Sequence, residues 1–242
     1  MEILAIVPAR GKSKGLPGKN IMLLNGHPLI SYSILAGQRT KSINRIIVST
    51  DSKEIAEIAK KYNAEIPFMR PRNLAQDVST DFEVFHYTIK RLKEQENYMP
   101  DYVIHLRPTS PIRFISDIEK CIKLIVNNPH ADSLRIVTPA QNNPYKMWLL
   151  NEEKTFLTPL LKIKGIKEPF NEPRQKLPEV YWQIGTLDII KTSVIIEQKS
   201  MSGKNIIPYI IDNKFAIDID KMHDFDEAKR ILRNNSCIKY DK

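Results

Sequence analysis

Ile3-Leu4-Ala5-Ile6-Val7-Pro8-Ala9-Arg10-Gly11-Lys12-Ser13-Lys14-Gly15-Leu16-Pro17-Gly18-Lys19-Asn20 joins an unbroken apolar run to a glycine-rich cationic loop. A short apolar run without polar alternation is the pattern of a strand buried on both faces, as in a parallel sheet. Arg10, Lys12, Lys14 and Lys19 follow within one loop, interleaved with glycines and with no acid among them. Glycine lets a backbone approach a ligand closely. Lysine supplies point charges, and arginine a planar fork that matches phosphate oxygens. At the end of a first strand, such a loop reads as a cradle for a polyanion, and a nucleoside triphosphate suits it best.

The loop is not a Walker phosphate loop. That pattern needs a glycine five residues before Gly-Lys-Ser/Thr. Ile6 holds that place for Gly11-Lys12-Ser13. Ser13 holds it for Gly18-Lys19, which Asn20 then follows. The dinucleotide fingerprint fails too, because Gly11 and Gly15 are wrongly spaced.

Downstream, the same rhythm repeats. Strands are expected over 45–51, 102–106, 133–137, 180–190, 206–211 and 215–219. Helices are expected over 28–38, 53–62, 81–96 and 224–233, with another opened by Ser116. Ser52 is a fitting cap for the second helix. Alternation of this kind predicts an α/β fold with a doubly wound, mostly parallel sheet. The 242 residues suit a single domain over 1–242. The rhythm breaks over 139–180, where Pro139, Pro144, Pro159, Pro169, Pro173 and Pro178 fall among Tyr145, Trp148, Phe156 and Phe170. A stretch that long is usually functional or an interface, so it reads as an arm reaching from the sheet, with dimerisation as its role.

Composition narrows the classes. A hydrophobic content of 42% supports a proper core, and a net charge of +9 points to anionic partners. Cys121 and Cys237 alone give no disulfide framework or zinc motif, and fit a reduced, cytoplasmic compartment. The N-terminus opens directly on strand-like sequence rather than a signal peptide, and no apolar stretch has the length of a membrane span.

Asp218 and Asp220 flank Ile219 at the end of the expected strand over 215–219. Residues two apart on a strand share a side. Two carboxylates on one side repel unless a cation lies between them, and Mg²⁺ with phosphate oxygens as its other ligands is the natural partner. A triphosphate cradle and a carboxylate-held metal specify attack on the α-phosphorus with departure of pyrophosphate, driven by positioning and electrostatics.

The N-terminal stretch from Val7 to Asn20 resembles the signature of the acylneuraminate cytidylyltransferases. The likeness continues in order through Val48-Ser49-Thr50-Asp51, Phe68-Met69-Arg70-Pro71, Leu106-Arg107-Pro108-Thr109-Ser110-Pro111-Ile112-Arg113, Arg174-Gln175-Lys176-Leu177-Pro178 and Asp218-Ile219-Asp220. The resemblance implies a Rossmann-like sheet, Mg²⁺ and a homodimer whose arm completes the neighbour's site. It implies transfer of CMP from CTP to the anomeric hydroxyl of a nonulosonic acid, with no nucleic acid or membrane as partner. It places Arg10, Gly11, Ser13, Lys14 and Lys19 at the triphosphate, Asn20 and Arg70 at the cytidine, and Ser79 nearby. Asp218 and Asp220 take the metal and, with Lys19, the catalytic roles. Arg107, Arg174 and Gln175 fall to the sugar, Arg174 pairing with its carboxylate.

Four departures mark the chain. Lys12 stands where the family usually has a second glycine. Arg107 stands where a glutamine that faces the sugar is common. Asp81 replaces a small hydroxyl residue, and the run from Tyr181 to Asp188 departs from the usual Asn-Gly-Ala. These changes lie more at the acceptor end than the nucleotide end, so legionaminic or pseudaminic acid is as suitable an acceptor as sialic acid. The competing readings are a 3-deoxy-octulosonate cytidylyltransferase, another sugar nucleotidyltransferase, and a non-catalytic RNA-binding protein. The last leaves Asp218 and Asp220 unexplained, since acids repel phosphates without a metal.

Overall fold

A computed structural model describes residues 1–13 and 15–240. In chain order the elements are β1 (Ile3–Pro8), β2 (Leu23–Leu24), β3 (His27–Pro28), α1 (Leu29–Arg39), β4 (Arg45–Ser49), α2 (Lys53–Lys61), α3 (Asp81–Glu96) and β5 (Tyr102–His105). They continue as α4 (Ile115–Val126), β6 (Ser133–Pro139), β7 (Trp148–Leu150), β8 (Leu157–Pro159), β9 (Tyr181–Lys191), α5 (Thr192–Ile196), β10 (Ile206–Ile210) and α6 (Met222–Asn234).

The main sheet runs β10-β6-β9-β5-β1-β4. β4, β1 and β5 pair in parallel, as do β6 and β10, whereas β9 is antiparallel to both β5 and β6. The sheet is therefore mostly parallel, with one reversed strand joining two parallel groups.

Alternation along β1 explains the double winding. Ile3, Ala5 and Val7 face one side, where they pack with Ile30 and Ile34 of α1, Ile55 and Ala59 of α2, and Ile118, Cys121, Ile122 and Ile125 of α4. Leu4 and Ile6 face the other, against Val84, Phe85, Ile89 and Leu92 of α3 and Val194 and Ile195 of α5. A strand buried on both faces needs the unbroken apolar run the sequence shows. Phe85 is fully buried, so truncation to alanine would cost about 3–5 kcal/mol.

Helix starts follow local chemistry. The Ser52 side chain accepts from the Ile55 N–H at 3.3 Å and caps α2 as expected. Thr80 and Glu83 form a reciprocal capping box at α3, placing Asp81 as its first residue. The start of α4 differs from expectation: Phe114 is its cap position and Ser116 lies inside the first turn. An Asn25-Gly26 turn joins β2 and β3, with φ of 48° and 91°, the paired positive dihedrals that a two-residue hairpin demands.

The expected strand over 215–219 is not a strand. A 3₁₀ turn occupies Asn213–Phe215, and irregular backbone follows. The apolar alternation there serves a third cluster, in which Ile219 is buried with Ile112, Leu29 and Phe225, Ala228 and Leu232 of α6. The Ile219 N–H donates to the Thr109 carbonyl at 2.8 Å rather than to a sheet ladder.

Residues 140–180 leave the sheet between β6 and β9 and include the hairpin β7–β8. Trp148, Leu149, Leu150, Phe156 and Leu157 are exposed there. Cys121 and Cys237 are buried free thiols. Among the described residues no helix is long and apolar enough to cross a membrane.

Candidate active site

The chain passes from β1 to β4 on one side and to β5 on the other, so the strand order reverses at β1. Ligands in open α/β sheets bind beyond the carboxyl ends of strands at such a reversal. A cleft of about 360 Å³ opens there. The loop after β1 contributes Arg10, Ser13, Gly15, Lys19 and Asn20 to its lining, and the turn after β5 contributes Arg107, Pro108 and Thr109. Arg70, Gln76, Asp77, Ser79, Asp81, His105 and Asp220 also line it.

The cationic loop and one of the two distant acids, Asp220, meet in this cleft. Lys19 Nζ donates to Asp220 Oδ1 at 2.9 Å and to the Ile219 carbonyl at 2.7 Å. Gly15 lies close by: a Cβ there would stand 3.1 Å from the Asp220 carbonyl oxygen, tighter than ordinary packing. The glycine thus lets two segments 200 residues apart come together. Asp224, in the first turn of α6, accepts from the backbone N–H groups of Asp220 and Lys221 at 3.1 and 2.8 Å and fixes the segment that carries Asp220.

Arg10 pairs with Asp77 at 3.0 Å and donates to the Gln76 carbonyl at 3.0 Å. Asn20 is buried, and its Nδ2 donates to the Arg10 carbonyl at 3.1 Å, tying the two ends of the loop. Arg70 is buried, with its Nε on Ser49 Oγ at 3.2 Å and its Nη2 on the Ser49 carbonyl. Burial lowers its guanidinium to about 10, so it remains charged at neutral pH. The Ser79 hydroxyl donates to the Asn73 carbonyl at 3.1 Å and accepts from the Gln76 N–H at 3.0 Å, closing the 73–79 turn over the cleft.

Not every expected residue reaches the cleft. Gly11 is not on its lining, and its N–H donates to Asp51 Oδ1 at 2.8 Å. Lys14 falls outside the described residues. Arg174 and Gln175 border a separate pocket with Pro139, Ala140 and Asn143, where Arg174 Nη2 donates to the Ala140 carbonyl at 3.3 Å. Within one chain they stand apart from the glycine-rich loop after β1. Asp218 is not on the cleft lining either. Its Oδ1 is buried and without a hydrogen-bond partner, while the Asp220 carboxylate is 71% exposed. Because the segment is not extended, the two acids do not share a strand face.

Among the described residues no group of three or more histidines, cysteines or acids could hold a metal alone. Asp218 and Asp220 suit a hard divalent ion only with other oxygen donors, such as phosphates, completing its shell. The orphaned Asp218 oxygen fits that arrangement, since a buried acceptor without a partner is costly.

The far wall carries a second charged group. Arg107 Nη1 donates to Asp188 Oδ2 at 2.9 Å, and its Nη2 to Asp81 Oδ2 at 3.2 Å. Beneath it, Arg113 is fully buried and donates to the Arg107 and Thr186 carbonyls, both at 2.7 Å, and to Ser33 Oγ at 3.1 Å. Burial and the neighbouring Arg107 lower Arg113 to about 9, with Asp218 acting in the opposite direction. His105 is also fully buried, and burial followed by the charges of Arg107, Arg113 and Arg135 holds it well below 6.5, hence neutral.

Sequence reading did not find Asp77, His105 or Asp224 as parts of this region, and it marked Asp188 only as the end of a departing run. Asp224 had a signal, being an acid in the first turn of a helix. The others are joined by contacts across long stretches of chain, which no local pattern reports.

The family model for cytidylyltransferases matches residues 4–154. The chain is 32% identical over 235 residues to post-translational flagellin modification protein B of Campylobacter coli, covering 97% of each. It is 32% identical over 238 residues to CMP-N,N'-diacetyllegionaminic acid synthase of Legionella pneumophila, covering 97% of this chain and 98% of the relative. Pseudaminic acid cytidylyltransferase of Campylobacter jejuni is 28% identical over 236 residues, again covering 97% and 98%. In fold, the chain resembles CMP:2-keto-3-deoxy-manno-octonic acid synthetase complexed with CTP, with a TM-score of 0.70 at 14% identity over 96% of this chain and 99% of that one.

Proposed function

Because the chain belongs to the cytidylyltransferase family, we propose that it transfers CMP from CTP to the anomeric hydroxyl of a nonulosonic, sialic-acid-like sugar acid and releases pyrophosphate. The observation that carries this reading is the meeting of Lys19 with Asp220 in the cleft at the end of β1. A cation suited to phosphate beside a carboxylate suited to a divalent ion supports that reading.

In this reading Arg10, Ser13, Lys14 and Lys19 hold the triphosphate, backed by Gly11. Asn20 and Arg70 sit at the cytidine, with Ser79 closing the turn above. Asp218 and Asp220 hold Mg²⁺, which offsets charge on the reacting phosphate when bound. The anomeric oxygen forms a bond to the α-phosphorus as the bond to the β-phosphate oxygen breaks. The hydroxyl proton passes to a carboxylate of the same pair. Lys19 loses its bond to Asp220 as phosphate oxygens arrive, so ion pairing in the free enzyme keeps both groups in place until the substrate replaces it.

The exposed apolar arm supports a homodimer. In that assembly Arg174 and Gln175, remote from their own cleft, serve the acceptor in the partner's. We place the enzyme in the cytoplasm, where its two thiols stay reduced.

The test is pyrophosphate release from each of the four nucleoside triphosphates with Mg²⁺ and a panel of keto-sugar acids, an eight-carbon octulosonate included. Turnover confined to CTP with a nine-carbon acid supports the reading. Turnover with the octulosonate alone moves the enzyme to the other acceptor class, and no turnover with any pair removes the transferase assignment.

A further inference from the structure

Three of the marked departures lie on separate elements and meet in space. Arg107 follows β5, Asp81 opens α3, and Asp188 lies in β9, yet one guanidinium bridges both carboxylates at 2.9 and 3.2 Å. Asp188 is 2% exposed. Gln183 Nε2 adds a longer contact to its other oxygen at 3.4 Å. His105 lies in the same wall with neither ring nitrogen hydrogen-bonded, its Nδ1 3.9 Å from the Oδ2 of each carboxylate.

A guanidinium held from two sides has a fixed direction, and only two of its five N–H donors are spent on these bonds. We propose that Asp188 and Asp81 position Arg107 as the group that sets acceptor specificity, and that Arg107 reads a neutral polar substituent of the sugar acid, an acylamino or hydroxyl group. This inference rests on the cytidylyltransferase reading above. Charge decides the class of substituent. An arginine standing alone attracts any anion, but this one already faces two carboxylates, and a further anion there would meet Asp81 and Asp188. A carbonyl or hydroxyl oxygen instead finds unspent N–H donors. Asp188 acts through Arg107 and is a positioning residue.

The experiment compares wild type, D188N, D81N, R107Q and the R107Q/D188N double variant. Each is assayed with CTP and N,N'-diacetyllegionaminic, pseudaminic or N-acetylneuraminic acid, and CTP affinity is measured by calorimetry. D188N is expected to raise the KM of the preferred acid about tenfold or more while CTP affinity stays within about twofold. R107Q changes the ranking of the three acids, and the double variant is no worse than R107Q alone, because either change breaks the same arrangement. D81N, at a half-exposed site with little bearing on folding, raises acceptor KM in the same direction. An unchanged acceptor KM in both D188N and D81N overturns the proposal, as does an equal loss of CTP affinity in them. No product from wild type with any acid overturns the transferase reading, and this proposal with it.

Discussion

Lys19 Nζ lies 2.9 Å from Asp220 Oδ1, with the lysine side chain 13% exposed and the carboxylate 71% exposed. The cation is anchored and its counterion faces solvent, so an incoming phosphate can displace the carboxylate without moving the lysine far. An ion pair with one such exposed partner contributes little to stability, roughly 0–1 kcal/mol. The value of Lys19 therefore lies in binding. Lys19→Ala is expected to weaken CTP about 10- to 100-fold in a calorimetric titration, the scale of one charged hydrogen bond, with the melting temperature almost unchanged. CTP affinity equal to wild type would remove Lys19 from the site.

Asp220→Asn keeps the shape of the side chain and removes its charge. Pyrophosphate release is expected to fall about 100-fold or more, while circular dichroism and thermal unfolding stay at wild-type values. Asp218→Asn should act in the same direction and raise the Mg²⁺ concentration needed for half-maximal rate. Wild-type turnover by Asp220→Asn would count against the metal assignment.

His105 gives a signature in pH. Its folded pKa lies well below 6.5, chiefly because it is buried. The groups around it are Asp81, Asp188, Arg107, Arg113 and Arg135, with the Phe85 ring 4.6 Å away. Between the folded pKa and 6.5, the unfolded chain binds a proton that the folded chain does not. The stability it contributes is complete above 6.5 and falls by up to about 1.4 kcal/mol per pH unit below it. Melting curves from pH 7.5 to 5 should show a steeper loss for wild type than for His105→Gln. Parallel profiles would show that His105 does not titrate in unfolding.

The arm predicts self-association. Phe156 is 74% exposed and Leu150 54% exposed on the hairpin that leaves the sheet. Replacing both with aspartate is expected to convert a dimer to a monomer in sedimentation velocity, without unfolding the domain. The same variant should keep CTP affinity and lose acceptor turnover, since Arg174 then has no neighbouring cleft to enter. A wild-type monomer with full activity would remove the arm's proposed role.

Much of this organisation is legible in residue order, and the exceptions have physical causes. The run Ile3 to Val7 declares its buried strand because both faces are covered by helices, leaving no room for polar alternation. The 215–219 segment shows strand-like alternation for a different reason. Its apolar residues fill the cluster under α6, and its N–H at Ile219 bonds to a turn. Alternation reports which residues are covered, not what covers them. The Asn25-Gly26 hairpin carries a strong local signal, although two-residue strands give periodicity nothing to register. In the cleft, the basic loop is legible since its glycines and cations are contiguous. Arg107 touching Asp81 and Asp188 is not, because those contacts join a turn, a helix start and a strand that lie far apart in the chain. Arg174 shows the reverse case: its chemistry is readable, but its place depends on an arm that one chain does not fold back on itself.

β9 starts at the root of the arm and finishes deep in the sheet. Its pairing with β6 runs from Pro139–Tyr181 to Ser133–Ile190, with an irregularity between Arg135 and Val137. The arm and the wall that carries Asp188 are consequently not interchangeable modules. An engineer who trims or transplants 140–180 must preserve the offset of that one strand. A slip of a single residue would rotate Asp188 to the opposite side of the sheet and carry Arg107's anchor away from the cleft.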